Sequence, residues 1–272
     1  MARSNRSVAE PPFVLSKDSG RVRWLTLNRP AERNPLSLGM IRELAEALDR
    51  SFADSSIRVI VIEGAGPVFS AGHHLKEMGN YGGSESDRRL RQEEILRSCA
   101  NLMLGIQRGP KPVIACVPGI ATAAGCQLVS ACDLAIASEQ AQFGTPGVNI
   151  GAFCTTPLVG IGRKMHRKHA MEMALTGDLV SAQDAYRFGL INRVVPLAEL
   201  HEVTERLAQR IALKSAQAIA SGKPAFYRQI EMPIEEAFAF ATRAMIDAAQ
   251  AEDAKEGSKA FFEKRPPVWS GL

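Results

Sequence analysis

Gly64-Ala65-Gly66-Pro67-Val68-Phe69-Ser70-Ala71-Gly72-His73-His74-Leu75-Lys76-Glu77-Met78 is the stretch around which the rest of the chain can be read. Just before it, Val59-Ile60-Val61-Ile62 is a short apolar, β-branched run, the pattern of a buried strand. Ala71-Gly72 admits a tight bend poor in Cβ atoms, and from Leu75 onward the pattern is helical. A strand running into such a bend sets backbone N–H groups at a pocket edge, where they can donate to an anion or a polarised carbonyl. Taken alone, the bend reads as plain strand–turn–helix scaffolding. A second stretch of the same design changes that reading. Gly119-Ile120-Ala121-Thr122-Ala123-Ala124-Gly125-Cys126-Gln127 also follows an apolar run, Val113-Ile114-Ala115-Cys116-Val117, and also opens a helix. Two such bends can hold one carbonyl oxygen between two backbone donors.

Outward from the bends, the chain alternates strand and helix. Arg23-Trp24-Leu25-Thr26-Leu27 alternates as a strand, and Asn28-Arg29-Pro30 turns it. Ser37 is placed to cap a helix whose buried face carries Ile41, Leu44, Ala45, Leu48 and Phe52. After the first bend, residues 81–86 read as a polar loop. The helix that follows buries Ile95, Cys99, Leu102, Met103 and Ile106, and Gly109-Pro110 ends it. Leu134-Ala135-Ile136-Ala137 is a further strand, and Pro146-Gly147 a turn. Residues 156–176 read as helix interrupted near residues 160–162, and Ser181 opens another as a capping box with Asp184. Short links between alternating elements predict an α/β core with parallel pairing. From about Leu197 the pattern is helical throughout. Residues 237–248 are apolar on nearly every side, which predicts burial in the core or against another subunit.

At 272 residues, with 46% hydrophobic and 23% charged, the chain can bury one large core. No apolar run reaches membrane-spanning length, so no membrane span is expected. Residues 1–12 are polar and lack the apolar region of a secretory signal; they read as a flexible tail, with a trimmed transit peptide as the alternative. The five cysteines form no Cys-x-x-Cys pair and no ligand spacing with histidine. That usage points to a reduced, metal-free protein of the cytoplasm. A net charge of +4 is modest, and the basic run at residues 163–169 has no interleaved aromatics. It reads as a solvated helix face rather than a nucleic-acid site.

Several of these motifs, in this order, resemble the enoyl-CoA hydratase/isomerase (crotonase) superfamily. They are Leu25-Thr26-Leu27-Asn28-Arg29-Pro30 with Asn34, Phe69–Met78 around the first bend, Ala123-Ala124-Gly125-Cys126-Gln127, Cys132-Asp133-Leu134-Ala135-Ile136-Ala137-Ser138, Phe143-Gly144-Thr145-Pro146, Leu175-Thr176-Gly177, Ala185–Val195 and Phe262-Glu263-Lys264-Arg265-Pro266-Pro267. The resemblance implies a spiral of ββα turns over residues 13–196 and a C-terminal helical trimerisation region over residues 197–272. It also implies a homotrimer or homohexamer and an acyl-CoA thioester substrate, with coenzyme A as part of the substrate and no separate cofactor. The thioester carbonyl would be held by the N–H groups of His73 and Ala124. Ala71, Gly72, His74, Leu75, Lys76 and Gly125 would line the substrate. Lys264 and Arg265 would approach the coenzyme's phosphates from a neighbouring subunit, unless they are merely solvated terminal charges.

One departure is decisive for chemistry. Hydration of an enoyl thioester needs one group to activate water and another to protonate the α-carbon. The family's two glutamates correspond to Gln127 and Gly147. Glutamine holds ligands by hydrogen bonds but exchanges no proton near neutral pH, and glycine offers no side chain. Hydration is therefore expected to be weak or absent. The alternatives are a non-catalytic acyl-CoA binder, or another thioester reaction such as hydrolysis or decarboxylation. His73 and His74 are the titratable groups nearest the first bend. Glu77 is expected on an exposed helix face, and Cys154 as a buried small apolar group.

Overall fold

Strands buried on both faces set the architecture. β1 (Val14–Ser19) and β2 (Val22–Leu27) form an antiparallel pair, and β2 continues in parallel to β3 (Val59–Gly64). The structure, a computed structural model, describes residues 11–79 and 84–270. Most of the expected tail, residues 1–10, lies outside that range, but the carbonyls of Pro11 and Pro12 accept from Arg29 at 2.7 and 2.9 Å. Residues 81–83 of the expected polar loop also lie outside it.

α1 (Leu38–Ala53) is capped by Ser37, whose hydroxyl accepts from Met40 N–H at 3.1 Å. After β3 come β4 (Val68–Ser70), α2 (Leu75–Met78) and α3 (Glu85–Arg108). Ser84 is the N-cap of α3, in a reciprocal box with Asp87, so Glu85 and Ser86 are helix rather than loop. α3 buries Ile95, Cys99, Leu102, Met103 and Ile106, the face its periodicity predicts. β5 (Val113–Val117), β6 (Ile120–Thr122) and α4 (Ala124–Ala131) form the next turn of the spiral. β7 (Leu134–Ser138), β8 (Gln142–Gly144), a 3₁₀ turn (Pro146–Ile150) and α5 (Thr155–Lys164) form the one after. In each of these turns the first strand joins a six-stranded sheet, ordered β1-β2-β3-β5-β7 and closed by β10 (Arg193–Val195). The second strand joins a four-stranded sheet, β4-β6-β8, closed by β9 (Leu179–Ser181). This is the expected α/β spiral of ββα turns.

Alternation along β3 divides the core. Ile60 and Ile62 face a cluster shared with α1, α3 and α4, whereas Val59 and Val61 face Trp24 and, from α8 (Leu200–Ala212), Leu200, Val203 and Leu207. Both faces of the large sheet are thus covered, as a parallel sheet requires.

α6 (Arg167–Thr176) follows α5, and α7 (Ala182–Arg187) follows β9 with Ser181 as its cap. The interruption expected near residues 160–162 falls instead at Met165, whose φ of −96° and ψ of 159° end α5. Gly160 serves contact rather than breakage: a Cβ there would lie 2.4 Å from Ser130 Oγ on α4. The basic run is consequently not one helix face. Lys164 is half-buried, its Nζ 4.7 Å from the centre of the Tyr227 ring, and His169 stacks on Phe188.

The chain ends in α9 (Ala216–Gln229), α10 (Ile234–Ala249) and α11 (Glu252–Phe262). α10 buries only Ala237, leaving Phe238 69% and Met245 74% exposed. Of the two expectations for residues 237–248, burial in this chain's own core is not met. A polar network holds α9 to the spiral. Lys223 Nζ lies 2.7 Å from Asp133 Oδ2 and also donates to the carbonyls of Ile106 and Lys111. Asp133 accepts further from Tyr227 Oη and Val113 N–H. Among the described residues, no helix is long and apolar enough to cross a membrane.

Candidate functional site

The two bends lie against each other. β4 and β6 pair in parallel, Val68 with Ile120 and Ser70 with Ala121, so the chain leaves the small sheet at both bends from neighbouring strands. Gly72 has φ +92°, and a Cβ built on it would lie 2.8 Å from Ala123 Cβ, 2.9 Å from Thr122 O and 3.2 Å from Ala124 N. A Cβ on Gly125 would lie 2.3 Å from Ser70 O. Each glycine is therefore required by the other bend's backbone. Thr122 Oγ1 adds a direct tie, donating to Ala71 O at 3.2 Å.

Polar side chains shape the first bend from below. Asn34, fully buried with φ +50°, donates to the carbonyls of Ala65 and Val68 at 2.9 and 2.8 Å and accepts from Arg29 N–H. Ser70 Oγ donates to Asn34 O at 2.8 Å and accepts from Gly72 N–H at 3.3 Å. These contacts give Asn34 a function that its place in the motif alone does not reveal.

Past the bend, the two histidines part ways. His74 caps α2, its Nδ1 accepting from Glu77 N–H at 3.3 Å, and its Nε2 lies 3.6 Å from Glu32. His73 turns a half-buried ring inward, with Nε2 enclosed and, among the described residues, without a hydrogen-bond partner. Burial lowers its pKa from the ordinary 6.5, so the ring is neutral at pH 7. Glu77 is not on an exposed face: Oε2 accepts from Leu38 N–H at 2.8 Å, pairing a donor at the start of α1. Ala71, Leu75 and Lys76 are exposed.

The second bend feeds α4, all of whose residues are buried. Ala123 is its N-cap with φ +49° and ψ −119°, and makes no side-chain cap. Its N–H donates to Gly144 O at 2.8 Å, while Ala124 N–H is the first donor of the helix, one that a helix leaves without an internal partner. Gln127 and Thr145 lie 94% or more out of solvent, and among the described residues Gln127 Oε1 and Thr145 Oγ1 have no hydrogen-bond partner.

Gly147 differs from a simple vacancy for a side chain. Its φ is not left-handed, yet a Cβ would lie 2.5 Å from Ala152 O and 2.8 Å from Cys154 Sγ. The half-buried Cys154, expected as a buried apolar filler, occupies the room a side chain at 147 would need. Lys264 and Arg265 sit in the C-terminal layer rather than at the bends. Arg265 is paired with Glu256 at 2.6 and 2.9 Å and with Glu263. A cleft of about 1340 Å³ is also there, between α9, α10 and α11 beside Phe240, Met245 and Phe261.

A family model described as enoyl-CoA hydratase/isomerase matches residues 17–271. The chain belongs to that family. Within the enoyl-CoA hydratase/isomerase family, the chain is 42% identical over 262 residues to rat enoyl-CoA hydratase domain-containing protein 3, mitochondrial, covering 96% of this chain and 86% of the relative. Among solved structures, human enoyl-CoA hydratase domain-containing protein 3 aligns with a TM-score of 0.90 and 42% identity, over 94% of this chain and all of that one. An enoyl-CoA hydratase from Mycobacterium smegmatis aligns with a TM-score of 0.89 and 46% identity, over 95% and 99%. The narrower likeness to the domain-containing protein 3 group is also visible in Thr122–Gln127, Thr145–Asn149 and Pro267–Ser270.

Proposed function

We propose that the chain binds an acyl-CoA thioester, with the carbonyl oxygen between the N–H groups of His73 and Ala124, as an enoyl-CoA hydratase/isomerase-like protein of weak hydratase activity. The observation that carries this reading is the close fit of the two bends, with Gly72 against Ala123 and Ala124. Donors fixed in place before charge develops stabilise an enolate without reorganising, and losing one costs orders of magnitude in rate. What is missing is the proton chemistry. Gln127 cannot act as an acid or base near neutral pH, and Gly147 has no room for a replacement carboxylate. A neutral His73 beside the first donor is the one imidazole enclosed there.

The second reading, an acyl-CoA binder without turnover, is favoured by the orphaned oxygens of Gln127 and Thr145, which suit a neutral polar ligand. Hydrolysis or decarboxylation of a thioester draws on the same two donors. Assembly as a homotrimer or homohexamer is proposed from the apolar face of α10 with Phe261 and Phe262, 79% and 82% exposed in one chain. In such an assembly Lys264 and Arg265 would meet a neighbour's coenzyme phosphates. The compartment is proposed as one that keeps the five thiols reduced, the cytoplasm on composition, although the rat relative's name says mitochondrial.

The test follows the absorbance of a short enoyl-CoA with the wild type and Gln127→Glu, alongside calorimetry with butyryl-CoA. Binding with slow hydration that Gln127→Glu accelerates supports the reading; one general acid–base group is typically worth ~10²–10⁴. Wild-type turnover that His73→Gln abolishes would move the proton chemistry to His73. No binding of butyryl-CoA would end the proposal.

A further inference from the structure

Ala123 is the one residue at the paired bends that holds a positive φ without being glycine. Its φ of +49° and ψ of −119° lie outside both the ordinary extended region and the left-handed helical region. A β-carbon crowds the backbone there, so the conformation persists only because its surroundings enforce it. Those surroundings are on view. Ala123 N–H is held by Gly144 O at 2.8 Å, the Thr122 hydroxyl grips Ala71 O, and α4 begins at the next residue inside the core. The methyl itself projects into the space that a side chain on Gly72 would take.

We infer that the Ala123 methyl is a positioning group, a strained spacer between the bends that fixes the direction of the Ala124 N–H relative to that of His73. ψ at Ala123 sets the plane of the 123–124 peptide, and that plane carries the Ala124 N–H. With the methyl seated against Gly72, φ at Ala123 cannot change without driving the β-carbon into the first bend, and the β-carbon narrows the ψ values open at that φ. With glycine at 123 the same conformation is unstrained, but so are several neighbouring ones, and the donor wanders. Strain is thus exchanged for aim. The inference rests on the thioester reading above, since the aim matters only if a carbonyl is held there.

The experiment compares butyryl-CoA with S-butyl-CoA, a thioether that keeps the coenzyme and chain but lacks the carbonyl. The affinity ratio of thioester to thioether reports the donors alone. Ala123→Gly is expected to raise the denaturation midpoint and lower that ratio about threefold to tenfold, the worth of one well-aimed hydrogen bond. Ala123→Ser, which keeps the β-carbon, is expected to hold the wild-type ratio. An unchanged ratio in Ala123→Gly overturns the inference, and so does a lowered midpoint, which would make the methyl ordinary packing. A wild type without preference for the thioester overturns the thioester reading itself, and the two failures are told apart by that control.

Discussion

The first bend turns on Gly72 and is gripped by polar side chains, whereas the second turns on Ala123 and is gripped by packing. Asn34, Ser70 and His74 spend hydrogen bonds on the first bend or the short helix after it, and Glu77 ties that helix to Leu38 N–H on α1. α4, after the second, has no side-chain cap and no exposed residue. A hydrogen-bonded bend depends on a few separable contacts, each of modest net worth. A packed one depends on shape and fails steeply when shape is violated. Under the proposed function the contrast matters, because both bends would have to keep their donors together.

The largest effect should come from violating shape. Gly125→Ala places a β-carbon against Ser70 O and is expected to cost about 4 kcal/mol or more in urea unfolding, or to prevent folding. A loss below about 1 kcal/mol would mean that the bends are not tightly packed. Next comes the first bend's central clamp. Asn34→Ala removes two donated bonds and one accepted bond and leaves buried carbonyls behind, at about 3 kcal/mol in the same measurement. Titration separates the bends further. The folded His73 binds its proton less readily than the unfolded one, so stability should be full above pH 6.5 and decline as pH falls through its lowered pKa. Comparing unfolding midpoints of the wild type and His73→Gln across that range should show a shallower acid slope in the variant. The smallest effect is expected where the bends are joined by one exposed bond: Thr122→Val should change stability by about 0.5 kcal/mol or less. A larger loss would make that tie, rather than the interlocked backbones, what keeps the bends together.

Much of this arrangement is legible in the residues. Val59–Ile62 and Val113–Val117 read as buried strands because nothing but a two-sided core accommodates such runs. The α3 face emerges from its spacing, and both glycines are visible because a bend beside a strand needs them. What stays hidden depends on contacts between distant segments. Alanine carries no mark of an unusual backbone, so the strain at Ala123 cannot be read from its letter. The Glu77 contact to Leu38 spans 39 residues, and nothing local distinguishes it from a solvated carboxylate. At Gly147 the obstacles are the Ala152 carbonyl and the Cys154 thiol, five and seven positions on, so a missing side chain resembles a free choice until the 3₁₀ turn brings them back. The α5 break is missed for a related reason, since glycine's use as a helix contact mimics its use as a breaker.

The anchoring of α9 has a consequence for how the chain can be divided. Asp133, directly beyond the helix that carries Ala124 and Gln127, takes its countercharge from Lys223, and the pair is nearly sealed from solvent at 15% and 8% side-chain exposure. A fragment ending between α8 and α9 would keep every strand yet leave that carboxylate, against Cys132 and the start of β5, without its direct ion-pair partner, though with Lys164 still nearby. The spiral is therefore expected to be less stable when grafted or expressed by itself. Supplied separately, a peptide spanning α9 should seat on such a fragment through Lys223 and Tyr227, and the same peptide with Lys223→Met should not.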